Sequence, residues 1–120
     1  MTAVTTSNES LADALITAAG MLRLNPGLPE VYGLNARPLD HQRQAWDIEF
    51  TPAATGENDE IDAVRTFAAV LGPNVETRLS DPRGHRGEYT FRRLTAEVSR
   101  GVHRISLWVH IARTSTVSES

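Results

Sequence analysis

Residues 88–112 read EYTFRRLTAEVSRGVHRISLWVHIA and contain two stretches in which apolar and polar side chains alternate. Alternation with a period of two is typical of β-strands that bury one face. The dipeptide Arg100-Gly101 separates the two stretches and suits a two-residue hairpin turn. The pattern therefore predicts an antiparallel hairpin with strands over Glu88–Ser99 and Val102–Ala112.

A turn at Arg100-Gly101 also predicts the register of this hairpin, because it places Ser99 opposite Val102. In that register Leu94 faces Leu107 on the buried side of the sheet. Upstream of Leu94 the alternation shifts by one residue. We expect a bulge at Arg92-Arg93 to absorb the shift.

The same register predicts contacts on the outward face of the hairpin. Glu97 lies opposite Arg104, and Arg93 lies beside Trp108, where a cation–π contact contributes about 0.5–1 kcal/mol. Two interpretations remain open for this face. It is a solvated surface of ion pairs, or a nucleic-acid surface on which Arg92, Arg93, Arg104 and Trp108 stack against bases. The net charge of −3 favours the first.

The residues before the hairpin predict two helices and three further strands. Apolar residues at helical spacing, followed by Pro and Gly, indicate helices over Glu9–Leu24 and Glu60–Leu71. Alternation predicts strands over Val31–Arg37, Gln44–Thr51 and Val75–Ser80. The predicted fold is α+β in the order helix, β-hairpin, helix, three-stranded antiparallel meander (α-β-β-α-β-β-β), with both helices on one face of a mainly antiparallel sheet. The pattern leaves open the strand order, and whether the two groups of strands join.

Length and composition predict a single domain. The chain has 120 residues, 40% of them hydrophobic, and no cysteine, which allows one core and excludes disulfide and thiolate sites. We expect the domain to span residues 9–112, between disordered Thr/Ser-rich tails at 1–8 and 113–120. No run reaches the roughly 18–20 apolar residues of a membrane span, so we expect a cytoplasmic protein without a membrane partner.

The first predicted helix carries apolar residues on two adjacent faces. A helix of this kind is either sandwiched in the core or shared with another subunit. One face is formed by Leu11, Leu15, Ala18 and Leu22. The second face is the predicted interface of a homo-oligomer and is formed by Ala12, Ile16 and Ala19.

All basic residues are arginine, and they are unevenly distributed. Residues 1–73 contain ten acidic residues and four arginines, whereas residues 74–120 contain five acidic residues and eight arginines. Arginine in place of lysine is a habit of GC-rich genomes, such as those of actinobacteria and their phages, and does not itself indicate phosphate recognition. If all strands join in one sheet, the outward Asp47 and Glu49 can neutralise some of the outward arginines.

The loop Asp81–Gly87 concentrates groups that bind anions. Its glycines let backbone N–H groups approach an anion, and arginine offers a fork of donors to phosphate or carboxylate. We predict a contact site for an anion or a protein partner here, and the alternative is a surface loop that binds nothing. The predicted binding residues, including those of the hairpin, are Arg83, His85, Arg86, Arg100, Arg93 and Trp108.

Two acidic patterns keep a small enzyme open as an alternative. Asp47 and Glu49 project from one face of a strand about 7 Å apart, a separation that glycosidases use for paired carboxylates. Asp40 and His41 are adjacent and resemble half of an acid–base pair. No nucleophile motif accompanies them. The histidine spacing predicts no metal site, and His103 is expected to point inward at the end of the sheet.

The leading hypothesis is a small non-catalytic protein-interaction domain without a cofactor, whose partner is another protein or a second copy of the chain. The first alternative is a nucleic-acid-binding module that uses the Arg-rich loop and the sheet face. The second is a small enzyme with the Asp/His or paired-carboxylate site.

Overall fold

The computed structural model describes residues 6–80, 83–85 and 89–112, with the side chains of 6–80 and 92–111. Two helices and a mixed β-sheet confirm the α+β class. No helix among these residues is long and apolar enough to cross a membrane. The elements are α1 (Ser7–Leu24), β1 (Val31–Pro38), β2 (Trp46–Pro52), α2 (Glu57–Leu71), β3 (Glu76–Leu79), β4 (Arg83–His85), β5 (Tyr89–Arg100) and β6 (His103–Ala112).

All strands join one sheet, in the order β1-β2-β6-β5-β3, with the short β4 paired to β5 off that path. β2 and β6 run parallel, and the other neighbouring strands run antiparallel. The predicted meander is present as β3, β5 and β6, but β4 interrupts it within the segment that was predicted as a loop. The two groups of strands therefore meet through the central parallel pair, and the sheet is mixed.

The register of the β5–β6 hairpin differs from the predicted one by two residues. Arg100 pairs with His103, so the turn residues are Gly101 and Val102, and Leu94 pairs with Val109 instead of Leu107. The reason lies in the turn, because Gly101 has a φ of 62° and glycine is preferred at the first position of turns that need positive φ. A shift of two residues leaves the side chains of β6 and those from Arg93 to Arg100 on their predicted faces. Arg92 is the exception, because uninterrupted pairing places it on the face of Leu94 and not on the outward face.

The predicted bulge at Arg92-Arg93 is wrong. Pairing between β5 and β6 runs without interruption from Phe91 to Arg100. The shift in the sequence pattern therefore does not correspond to an extra residue in the strand. The side chain of Phe91 lies outside the described residues.

Both helices pack on one face of the sheet, as predicted. The alternation of β2 directs Ile48 and Phe50 toward them, and Phe67 of α2 meets Phe50 edge to face with ring centroids 6.4 Å apart. Thr6 caps α1 and forms a reciprocal capping box with Glu9, so the helix begins two residues before the predicted start. The buried residues of the helices are Ser10, Ala14, Ala18, Met21, Ile61, Ala63, Val64 and Phe67.

The second apolar face of α1 remains uncovered by the described chain. Ala12, Ile16 and Ala19 are exposed, with Ile16 at 71%. Burial against the sheet comes instead from Ala14 and Ala18 and their neighbours along the helix. Among the described residues of one chain, α1 therefore packs on the sheet with one face only.

Candidate binding cleft

The face of the sheet opposite the helices carries a polar cleft. Alternation along β2 places Asp47 and Glu49 on this face, because Trp46, Ile48 and Phe50 point to the helices. The cleft has a volume of about 420 Å³. Its charged lining residues are Arg37, Arg78, Arg93, Arg104, Asp47, Glu49 and Glu97.

Three arginines and three carboxylates of this polar cleft form one continuous network, which we call the charge ladder. Positive and negative side chains alternate along it, and it spans the five strands β1, β2, β6, β5 and β3. Asp47 of β2 thus contacts Arg104 of β6, and in this way one outward acid neutralises an arginine of residues 74–120, as predicted for a joined sheet. The ion-pair partner of Glu49 is Arg37, which belongs to residues 1–73. The contacts are Glu49–Arg37 (3.9 Å), Arg37–Asp47 (3.2 Å), Asp47–Arg104 (3.4 Å), Arg104–Glu97 (3.5 Å) and Glu97–Arg78 (2.9 Å).

The carboxylates form the floor of the polar cleft and the arginines form its rim. The side chain of Asp47 is 3% exposed, whereas that of its partner Arg37 is 53% exposed. Arg78 is likewise far more exposed than Glu97. A molecule that enters from solvent therefore meets guanidinium groups first.

Asp47 has hydrogen-bonding partners at both carboxylate oxygens. Its Oδ1 accepts from the hydroxyl of Ser106 at 3.0 Å, and its Oδ2 accepts from Arg37 and Arg104. Burial of a charge costs free energy unless opposite charges and hydrogen bonds compensate it. These three partners supply that compensation and hold Asp47 in one position.

Glu49 is engaged in the same way. Its Oε2 accepts a hydrogen bond from the indole N–H of Trp108, and its Oε1 accepts from the Asn35 amide at 3.4 Å. Arg37 Nε lies 3.9 Å from the same Oε1. The carboxylate pair that the sequence suggested as a catalytic site is thus a hydrogen-bonded part of the charge ladder.

Arg93 and Trp108 form the predicted cation–π contact, with the guanidinium carbon 4.0 Å from the ring centroid. The two residues are not direct cross-strand partners, as the predicted register had them, because Arg93 pairs with His110 and Trp108 pairs with Thr95. The His110 ring lies 4.9 Å from the Trp108 ring. Burial, and then the positive charge of Arg93, lower the pKa of His110 below its usual range. Among the described residues, Arg93 forms no ion pair with a carboxylate.

The predicted Arg-rich contact site lies mostly outside the described residues. Arg86 is not described, and Arg83 and His85 are described only as backbone of β4. Arg100 lies at the hairpin turn, where its guanidinium donates to the Ser99 carbonyl at 3.0 Å. Arg100 does not line the polar cleft. A contact site on this loop stays a prediction.

A buried histidine beneath α1 forms a second polar cluster. His103 points inward, as the alternation predicted, and its Nδ1 accepts a hydrogen bond from the Trp46 backbone N–H at 3.2 Å. Its Nε2 lies 2.8 Å from the Asp13 carboxylate, so the proton of the neutral ring belongs on Nε2. The Trp46 indole N–H donates to Ser10 Oγ at 3.0 Å. We call Ser10, Asp13, Trp46 and His103 the helix anchor, because they fasten α1 to β2 and β6.

Asp40 and His41 lie on the loop between β1 and β2, and the described residues include no contact between their two side chains. Asp40 Oδ1 accepts hydrogen bonds from the backbone N–H groups of Gln44 and Ala45, which fixes the loop between β1 and β2. His41 is exposed on that loop. In the part of the chain that the structure describes, no group of three or more His, Asp or Glu side chains is placed to hold a metal ion.

Comparisons of this chain with protein-family models, with curated proteins and with solved structures find no match. The geometry of the polar cleft is therefore the basis for assigning a function.

Proposed function

We propose that this protein is a non-catalytic binding domain and that the polar cleft is its binding site. The observation that supports this proposal most directly is the charge ladder around a cleft of about 420 Å³. That volume falls within the roughly 300–1,000 Å³ of small-molecule sites. Side chains that are held in place before binding lose little conformational freedom when the ligand arrives, which favours affinity.

The hydrogen bonds of the carboxylates favour binding over catalysis. A general base must take up a proton on an accessible oxygen, and a retaining or inverting glycosidase also needs one carboxyl group to donate a proton. Both oxygens of Asp47, and both oxygens of Glu49, already accept hydrogen bonds. A catalytic role would require these contacts to break.

The contacts of the arginines on the predicted stacking surface argue against nucleic-acid binding. Arg92 Nε donates to the Ser80 carbonyl at 2.9 Å, and Arg104 belongs to the charge ladder, so two of the three arginines of the predicted stacking surface are engaged within the chain. Nucleic-acid binding depends on arginines and lysines that are available to phosphates. A small polar ligand fits the polar cleft better than a polynucleotide.

A ligand screen by NMR tests the proposal. The ¹⁵N-labelled chain is titrated at low salt with a panel of small carboxylates, amines, sugars and nucleosides. We expect at least one class to shift the amides of Thr95 and Ser106, which line the polar cleft. No shift with any class at millimolar concentration, or shifts confined to another surface, contradicts the proposal.

A matched pair of variants assigns the binding to the cleft. Thr95→Tyr places a ring inside the polar cleft, and Thr51→Tyr places the same ring on β2 outside it. Binding that Thr95→Tyr weakens at least tenfold, and Thr51→Tyr leaves unchanged, supports the site. Chemical conversion of the bound molecule contradicts the non-catalytic assignment.

Self-association through α1 is a second candidate function, because Ile16 is 71% exposed and Ala12 and Ala19 lie beside it. Light scattering over a concentration series checks this. We expect a dimer or larger species, and we expect Ile16→Glu to weaken this self-association at least tenfold. The control Asn8→Glu, on the exposed first turn of α1, should leave the self-association unchanged. A strict monomer at the highest concentration excludes it.

A further inference from the structure

Three side chains surround Thr95 at the β3 side of the polar cleft. Arg78 pairs with Thr95 across β3 and β5, and Trp108 pairs with it across β5 and β6. Arg93 precedes Thr95 by two residues and points to the same face. Directly paired residues have Cβ atoms about 4.5–5.5 Å apart, so these groups are close enough to contact one small ligand. We call Arg78, Arg93, Thr95 and Trp108 the Thr95 subsite.

The charge of the polar cleft is not balanced. Four arginines and three carboxylates line it, which leaves a formal charge of +1. Three of the arginines belong to the charge ladder with the three carboxylates. The excess positive charge is therefore that of Arg93, whose guanidinium stacks on Trp108.

Arg78 adds a second cation to the same place. Its Nη2 contacts Glu97 at 2.9 Å, and its side chain stays 63% exposed at the rim. A guanidinium group has five N–H donors, so a single contact leaves other donors that can reach a ligand. Arg78 and Arg93 thus lie next to Thr95 on two neighbouring strands and line the same cleft.

We infer that the Thr95 subsite binds the carboxylate group of a small organic acid, an assignment that rests on the proposed function of the polar cleft. One negative charge balances the +1 of the lining, whereas a phosphate dianion leaves an excess negative charge above the carboxylate floor. The fork of a guanidinium group matches a carboxylate in two parallel hydrogen bonds. The Trp108 ring offers apolar surface to the body of the acid.

Binding of benzoate and its analogues tests the charge assignment. The probes are benzoate, neutral benzamide, phenyl phosphate and cationic benzylamine, each followed by NMR titration of the amides of β3, β5 and β6. We expect benzoate to bind at least tenfold more tightly than benzamide and benzylamine, and phenyl phosphate to bind no more tightly than benzoate. Equal affinity for benzoate and benzamide, or stronger binding of benzylamine or phenyl phosphate, overturns the inference.

Peptides distinguish two sources of the bound carboxylate group, namely a small organic acid and the C-terminus of a polypeptide chain. The same titration uses a tripeptide with a free C-terminus and the same tripeptide with an amidated C-terminus. A free-acid peptide that binds at least tenfold more tightly than benzoate assigns the site to a chain terminus and overturns the small-acid assignment. Peptides that bind no more tightly than benzoate support it.

Variants identify the cation that the ligand contacts. Arg93→Gln removes the unbalanced charge and is expected to weaken the binding of benzoate at least tenfold. The control Arg65→Gln, on the exposed side of α2, should leave the affinity for benzoate unchanged. Arg93→Lys keeps the charge but lacks the fork, and an intermediate loss is expected. Benzoate binding that Arg93→Gln does not weaken overturns the inference.

The two proposals fail in different ways. A neutral or cationic molecule that binds in the polar cleft and is insensitive to Arg93→Gln removes the carboxylate assignment and leaves the binding domain standing. If neither these probes nor the wider panel bind in the cleft, both proposals are wrong.

Discussion

The two faces of the sheet bury polar groups in different ways. On the open face, Asp47 shares Arg37, Arg104 and Ser106 in a network that continues from strand to strand. Beneath α1, each nitrogen of His103 has one partner, the Trp46 backbone N–H or the Asp13 carboxylate. The open face thus distributes its charged contacts over several strands, whereas the buried histidine depends on two individual contacts.

Access of water explains the difference. Water hydrates a guanidinium at the rim when its ion-pair partner is removed. Removal of one member of the charge ladder therefore costs only part of the stabilisation that the contacts provide. The Trp46 backbone N–H, which donates a hydrogen bond to His103, is buried. A buried donor that loses its acceptor costs about 1–3 kcal/mol in desolvation. Substitutions on the two faces therefore separate these two kinds of stabilisation.

The largest effect is expected for the apolar core itself. Phe50 is buried and contacts Phe67 edge to face, and truncation of a buried phenylalanine leaves a cavity. Phe50→Ala is expected to lower the free energy of unfolding by about 3–5 kcal/mol, as measured by urea denaturation. Thr51→Ala, the exposed neighbour on the same strand, should change it by less than about 0.5 kcal/mol. A loss below about 1 kcal/mol for Phe50→Ala means that the core is not packed as described.

A smaller effect is expected for the charge ladder. Asp47→Asn keeps the contact with Ser106 but removes the charge that compensates Arg37 and Arg104. Loss of one partner of a fully buried pair costs about 3–5 kcal/mol. Because these two arginines are partly exposed, we expect a loss of about 1–2 kcal/mol in the same denaturation experiment.

Asp62→Asn on the exposed face of α2 is the matched control for this change of charge, and its effect should stay below about 0.5 kcal/mol. A double-mutant cycle of Asp47→Asn with Arg104→Gln measures the contact directly. No coupling between the two positions contradicts the charge ladder.

The alternation of side chains predicted the open face well. It placed Asp47, Glu49 and Trp108 outward, and outward side chains keep their face when the register changes by an even number of residues. For that reason Glu97 still contacts Arg104, although Ser106 is its direct partner. The polarity of each face was thus predictable without the correct register.

Contacts between distant parts of the chain were not predictable. Parallel pairing of β2 with β6 depends on how the two groups of strands meet, and no local pattern encodes that choice. Asp13 and His103 lie 90 positions apart and meet only because α1 packs over β2. An acidic residue near the start of a helix, such as Asp13, is ordinary, so its type and position do not indicate this contact.

The helix anchor gives a third, smaller effect that depends on which nitrogen of His103 is replaced. In His103→Asn, the side-chain oxygen occupies the position of Nδ1 and continues to accept from Trp46. His103→Gln reaches the position of Nε2 near the exposed Asp13 and leaves the buried Trp46 N–H without its acceptor. We therefore expect His103→Gln to cost about 1 kcal/mol more than His103→Asn in urea denaturation.

Hydrogen exchange of the Trp46 amide is the second readout of this pair. It should exchange faster in His103→Gln than in His103→Asn, by more than the difference in global stability accounts for. If the two variants are equally stable and exchange at the same rate, the bond from Trp46 to Nδ1 is not a significant contact of the helix anchor.

The smallest effect concerns His110 on the open face. Burial and the charge of Arg93 keep its pKa below the usual value of about 6.5, so the unfolded chain binds a proton more readily than the folded chain. Stability contributed by the neutral ring is therefore present above about pH 6.5 and is lost as the pH falls toward the lowered pKa of the folded state. Arg93→Gln removes the second of the two causes. NMR titration of the ring should show a higher pKa of His110 in this variant, and stability should then be lost over a narrower pH range. Neither quantity should change in the control Arg65→Gln. A pKa of His110 that stays the same in Arg93→Gln assigns the whole shift to burial, and then the charge of Arg93 does not act on its cross-strand partner His110.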